Sequence, residues 1–353
     1  MQFHTFHLFH WPRQWSHQQV YAYEMELIQY AEDLGFDGAW IAEHHFRDYG
    51  IVPSIMPFAS FAAARTRRIK IGAAVVVLPF QHPLRIAEEA ALVDVLSNGR
   101  LMFGFGRGYQ SIEFAGLGVP LAEARARADE SLDIITRAWS NDRVGGSGPH
   151  YRFDPVEVLP KPLQKPHPPV WTAAVSPETI AHYAAKGIPF IADPLATFSR
   201  LRRAAEEWRE QAAKHGHTGE PQLGALRGLI IAETEAEARR LADEAQAYAQ
   251  DPTVAAGSKE GIPVEKTGEF AAGYYYWRDR YASRNLDLDA DFFWQRTLIA
   301  GDPPRVRAQL ELMEQMGYRH ILFSLGRAPD VSLAANKRRL KLFAEAVMPH
   351  FRT

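Results

Sequence analysis

The sequence predicts an α/β fold closed into a (β/α)8 TIM barrel with insertions, and three observations lead there. Short apolar runs alternate with longer stretches of helical period from one end of the chain to the other. Eight such runs stand out, and strands separated by helical crossovers must lie parallel in one sheet. The 353 residues suit one large barrel, with 1–353 as a single barrel domain. An open doubly wound sheet is the alternative, but it has only about five or six strands.

Phe3–Phe9 reads as the first strand and Val20–Leu34 as the first helix, with Met25, Ile28, Ala31 and Leu34 on one face and Gly35 as its stop. Gly38–Ala42 is the second strand and Pro53–Ala64 its helix. Ile69–Leu78 is a continuous β-branched run, the pattern of a strand buried on both faces. His82–Leu96 is helical and closes at Asn98-Gly99, Leu101–Phe105 is a strand, and Leu121–Trp139 is a helix. Next come Val170–Ala174, a helix from Pro177, and Ile188–Ala192, followed by Phe198–His215 (helix), Leu223–Ala232 (strand) and Glu235–Ala249 (helix). Arg305–Met316 (helix), His320–Leu325 (strand) and Leu333–Val347 (helix) complete the series. Two segments exceed a simple barrel. One is 141–169, a proline-fixed extended path; the other is 251–294, which contains Tyr274-Tyr275-Tyr276-Trp277 and has the length of an active-site lid.

Composition narrows the function. A formal net charge of −2 lacks the footprint of a general nucleic-acid binder. With 46% apolar and 23% charged residues, the chain can build a core and is not disordered. The absence of cysteine excludes disulfides, thiolate nucleophiles and Cys-ligated metals, and agrees with a cytoplasmic setting. Met1–Gln19 lacks the basic start and apolar run of a secretory signal. The longest apolar stretch, Ile71–Phe80, falls short of the ~20 residues that span a bilayer, so a soluble chain is expected.

In a parallel barrel the C-terminal strand ends line the active-site mouth, which selects few positions. After the second strand stand Glu43-His44-His45-Phe46. Neighbouring strand residues point opposite ways, so one of the two histidines faces the mouth, as a proton donor or acceptor near pH 7. A metal site is not expected, because His4, His7 and His10 are three apart and alternate faces. The fourth strand ends in Gly104-Phe105-Gly106-Arg107-Gly108. With Tyr109 in place of a third glycine this is a poor dinucleotide fingerprint. Its glycines would let a backbone or flat ligand approach, and Arg107 adds a bidentate anion donor. Ser176-Pro177-Glu178-Thr179 is a helix start whose free N–H groups attract an anion, and with Arg107 nearby it becomes a candidate phosphate site. Ala73-Ala74-Val75 offers small side chains against which a planar ring can lie.

Four stretches together resemble the bacterial luciferase-like family of flavin-dependent monooxygenases. They are Leu34 to Phe46, Gly72 to Pro79 with His82-Pro83-Leu84-Arg85, Leu96 to Gly108, and Gly317 to Leu322. The resemblance implies FMN as cofactor, with its phosphate held by Arg107, the backbone of Tyr109, Val175, Ser176 and Thr179. It places the Ala74–Val75 peptide against the isoalloxazine as the family's non-prolyl cis bond, and makes His44 the catalytic histidine. It implies that reduced FMN and O2 oxygenate a small, mostly apolar substrate through a C4a-peroxide of the flavin. A separate NAD(P)H:flavin reductase would supply the reduced cofactor, and the chain would form a homodimer. Gly106 stands where the luciferase catalytic subunit has cysteine and Val175 where it has glutamate, so light emission does not carry over. A deazaflavin- or flavin-dependent reductase on the same barrel, and a non-catalytic flavin-binding subunit, are the competing readings. The aromatic residues His7, His10, Trp11 and Tyr274–Trp277 would line an apolar pocket, or else belong to core or interface.

Overall fold

β1 (Gln2–His7) opens the chain and leads into α1 (His17–Asp33), whose N-cap Ser16 and N3 residue Gln19 form a reciprocal capping box. β2 (Gly38–Ile41), α2 (Ile55–Arg65) and β3 (Lys70–Ala73) follow. The run expected as one strand, Ile69–Leu78, divides here: the Ala74–Val75 peptide is cis, and pairing resumes only at β4 (Val76–Val77). α3 (Pro83–Leu96) and β5 (Leu101–Gly106) come next, then two helices, α4 (Ser111–Leu117) and α5 (Ala124–Ser140), of which the first carries no clear period in the sequence. The computed structural model describes residues 1–250, 290–325 and 332–352.

Segment 141–169, expected as an extended path, contains an antiparallel hairpin of β6 (Val144–Ser147) and β7 (Arg152–Val156). Only its proline-rich second half stays irregular, with cis bonds before Pro160 and Pro166. The barrel resumes with β8 (Val170–Ala174), α6 (Pro177–Ala184), β9 (Phe190–Ala192), α7 (Phe198–Lys214), β10 (Leu223–Ile231) and α8 (Glu235–Gln250). Beyond the second insertion lie α9 (Ala290–Arg296), β11 (Ile299–Gly301), α10 (Pro303–Gln315), β12 (Tyr318–Ser324) and α11 (Leu333–Ala346). Of the expected lid, 251–289 falls outside the described residues, as do Tyr274–Trp277; Trp294, at its end, is buried on α9. Among the described residues no helix is long and apolar enough to cross a membrane.

The eight expected strands form one closed parallel ring in the order β1, β2, β3, β5, β8, β9, β10, β12 and back to β1. β11 is additional and pairs only with the end of β10. Two apolar layers result. Outward residues such as Phe3, Phe103, Leu223 and Phe323 pack against the helices. Inside the ring, Trp40, Met102, Trp171, Ile191 and Leu322 form a separate cluster that floors the mouth.

His4 and His320 also point inward. Their rings stack with centroids 5.2 Å apart, and His4 Nε2 lies 3.1 Å from His320 Nδ1. Burial first, and then each other's field and Lys70, holds His4 well below its ordinary value; burial and Lys70 bring His320 down to about 4. His7, three residues from His4, lies on the opposite face, with Nδ1 2.7 Å from Glu24 Oε2 and Nε2 2.7 Å from Thr5 Oγ1. The three-residue spacing thus separates the histidines, as strand alternation requires.

Candidate functional site

The mouth lies where the strands end. Just past β2, the His44 backbone N–H donates to Val52 O at 3.1 Å, which fixes the loop carrying the two histidines. His45 turns aside: its Nε2 is 3.2 Å from Glu43 Oε1 and its ring meets Phe80 edge-on. Glu43, whose carboxyl is raised by burial, also accepts from Val77 N–H on β4 at 3.3 Å. His44 packs edge-on against Tyr49, with centroids 4.8 Å apart.

A carboxylate absent from the sequence-based site backs His44. Glu113, on the first turn of α4 and 1% exposed, places Oε1 2.9 Å from His44 Nδ1 and accepts from the His45 N–H at 3.0 Å. Gln110, the residue before α4, approaches the same Nδ1 with its Nε2 at 3.3 Å, while its Oε1 accepts from Arg47 Nη1 at 3.0 Å. Tyr109, whose phenol is raised well above its usual range by burial and by Tyr49 and Glu113, lies edge-on to His44.

The second cluster gathers around the start of α6. Ser176 is its N-cap, accepting from Thr179 N–H, and the two hydroxyls are 3.0 Å apart. Arg125 crosses from α5 and donates through Nη2 to Thr179 Oγ1 at 3.1 Å. Arg200 on α7 donates to Val175 O at 2.7 Å and so braces the loop that presents Ser176. Arg107 enters the same neighbourhood: the Tyr183 phenol, raised by burial and by the Asp129 carboxylate, is drawn back by the nearby charges of Arg125 and Arg107. Of the sequence-predicted residues, Val175, Ser176 and Thr179 thus collect at one place, with the charge of Arg107 reaching the nearby Tyr183, while the Tyr109 ring and His44 meet at the other. Ala74 borders the inner cluster between strands, and Ala173, though on central strand β8, is exposed.

Of the two approaches expected at the glycines of the fourth-strand motif, a backbone or a flat ligand, the structure shows the first. A Cβ at Gly104 would sit 1.9 Å from Ala73 O, and one at Gly106 2.5 Å from Val75 Cγ2. They let the 73–75 backbone close against β5 rather than admit a ligand. Gly108 does need its freedom: φ is +76°, and the turn it makes carries the chain into Tyr109 and α4.

Glu113, Gln110, Arg125 and Arg200 escaped the sequence reading because each acts across a long separation. One local signal was present: Glu113 follows the Arg107-Gly108 turn at the start of a short helix.

The chain is thus a closed parallel α/β barrel with a histidine–carboxylate pair and an arginine–hydroxyl cluster past its strand ends. The model of the luciferase-like monooxygenase family matches residues 1–320, and the chain belongs to that family. It is 27% identical over 351 residues to the oxygenase component of the flavin-dependent trigonelline monooxygenase of Acinetobacter baylyi, covering 96% of this chain and 92% of that protein. It is 36% identical over 213 residues to the uncharacterized protein y4vJ of Sinorhizobium fredii, where the match spans 60% of this chain and only 55% of the relative. Among solved structures, monooxygenase RslO1 from Streptomyces bottropensis superposes with a TM-score of 0.81 at 25% identity, covering 99% of this chain and all of that one.

Proposed function

We propose that this protein is the oxygenase of a two-component flavin monooxygenase, acting on a small, mostly apolar organic substrate with reduced FMN and O2. The observation behind the reading is the presence of two clusters past the ends of strands of one ring, after β2 and β5 and after β5 and β8: a histidine backed by a buried carboxylate, and a donor set suited to a phosphate. Arg107, Arg125, Ser176 and Thr179, with the backbone at Tyr109 and Val175, would hold the phosphate by charge-assisted bonds. The small residues Ala74 and Ala173 fit a planar ring, and Ala74–Val75 would lie against it. Bound reduced FMN supplies two electrons for the activation of O2; one oxygen atom enters the substrate and the other leaves as water. His44 would move the proton, through the ring nitrogen that Glu113 does not engage. The apolar cluster of Trp40, Ile191 and Leu322, with the half-buried Phe6 and Leu226 packed against it, would offer an apolar surface to such a substrate and help to keep water from the reacting atoms.

The relative named as an oxygenase component supports a separate NAD(P)H:flavin reductase as partner. A homodimer in the cytoplasm remains part of the same reading. The test is titration of the full chain with FMN and with riboflavin, followed by exposure of the reduced complex to air. Tight FMN binding, weaker riboflavin binding and a peroxide yield below that of free reduced FMN are expected. His44→Ala should bind FMN normally and lose substrate oxygenation. Absence of affinity for FMN in either redox state overturns the reading.

A further inference from the structure

We propose that Glu113 is the positioning residue that sets the tautomer of His44, keeping the proton on Nδ1 so that Nε2 is left as a hydrogen-bond acceptor. The inference deepens the proposed function, since it rests on His44 being the proton-handling group.

Two side chains compete for one nitrogen, and they demand opposite things of it. An ionised carboxylate only accepts, so Glu113 Oε1 at 2.9 Å requires a proton on Nδ1. The amide nitrogen of Gln110 only donates, so its Nε2 at 3.3 Å requires a lone pair there. Gln110 cannot relieve the conflict by exchanging its amide ends, because Arg47 Nη1 donates to Oε1 at 3.0 Å and pins the orientation. Distance and charge both favour Glu113, as a hydrogen bond to an ionised partner is about twice as strong as a neutral one. Burial sharpens the preference. Glu113 is 1% exposed, and no Lys or Arg among the described residues pairs with it, so the His45 N–H and the His44 ring are what its carboxylate has. A proton on Nδ1 leaves Nε2 bare, and the neutral ring meets a ligand as a base. With the carboxylate gone, Gln110 would hold Nδ1 as an acceptor, the proton would move to Nε2, and the ring would present a donor.

The experiment is two-bond 1H–15N correlation NMR of the full chain labelled at histidine, at mildly alkaline pH, with His44 assigned by difference from His44→Ala. Wild type should show Nδ1 protonated and Nε2 bare. Gln110→Ala should keep that pattern, and Glu113→Ala should reverse it. Should Glu113→Ala not fold, Glu113→Gln serves, with a reduced Nδ1–H fraction expected. A wild-type Nε2–H tautomer, or a pattern that Glu113 variants leave unchanged, overturns the proposal. In turnover, Glu113→Ala should lower kcat on the order of 10–100-fold with FMN affinity unchanged. A reversed tautomer with undiminished kcat would uphold Glu113 as the positioning residue and remove His44 from proton handling, which separates this inference from the reading it rests on.

Discussion

Arg125 Nη2 donates to Thr179 Oγ1 at 3.1 Å, joining two βα units that are 54 residues apart in the chain. The bond sets a guanidinium against Thr179, whose hydroxyl lies 3.0 Å from that of Ser176, and the charge of Arg107 reaches the nearby Tyr183, so in the proposed phosphate site the cations would already be in place. A preassembled donor set binds without the cost of ordering long side chains.

Replacing Arg107 or Arg125 by Ala should therefore weaken FMN binding by about 10–100-fold, the loss of one charge-assisted contact of roughly 1.5–3 kcal/mol. Riboflavin, which lacks the phosphate, should bind each variant about as well as it binds wild type. Fluorescence titration with both flavins checks this, and an equal loss for the two ligands would place these arginines elsewhere in the site's energetics.

Stability should fall on mild acidification. His4 and His320 are neutral inside the ring, His320 because burial and Lys70 bring it down to about 4, whereas an unfolded chain's histidines protonate near about pH 6.5. The unfolded state then binds more protons between these limits, so folding free energy is full above about pH 6.5 and is lost as pH drops through the window. For His320 alone the loss approaches ~3 kcal/mol. Denaturant midpoints measured from pH 7 to pH 4 should fall steeply for wild type and more gently for His320→Gln.

Gly104→Ala should destabilise the barrel by about 1–3 kcal/mol or more, because the added carbon would sit 1.9 Å from the Ala73 carbonyl oxygen and backbone must move. The displaced segment includes Ala74–Val75, so flavin affinity should fall together with the thermal midpoint.

Arg100 supplies the contrast. At the opposite end of the ring, it donates to Thr66 Oγ1 at 2.8 Å and to the carbonyls of Ile69 and Ala63 at 2.9 Å, and its Nε donates to Ser97 O at 2.7 Å. Arg100→Met should lower stability by about 3 kcal/mol while leaving FMN affinity of the folded fraction unchanged. Calorimetry with parallel flavin titration reads both.

The strands and most helices were legible because alternation of period survives in any one sequence. Ile69–Leu78 read as one strand, since β-branched residues suit β structure throughout; the cis peptide at Ala74–Val75 was expected from the family resemblance alone and is present. Segment 141–169 read as irregular from its prolines, which masked the hairpin before them. Half the site was legible too: Arg107, Ser176 and Thr179 are conspicuous at strand ends and a helix start. Glu113 and Arg125 were not, for each sits on a helix with ordinary spacing and acquires its partner, 69 and 54 residues away, only when the ring closes.

Glu43 grips His45 with one oxygen and the Val77 amide with the other, so the rim that carries His44 and the stretch beginning at Ala74 are tied at a single buried carboxyl. On the proposed function, flavin seating and proton handling would therefore share one mechanical element. On that reading, a substitution that shifts the backbone near Ala74 should also shift the loop carrying His44, and redesign of either function has to treat the two strand ends as one part.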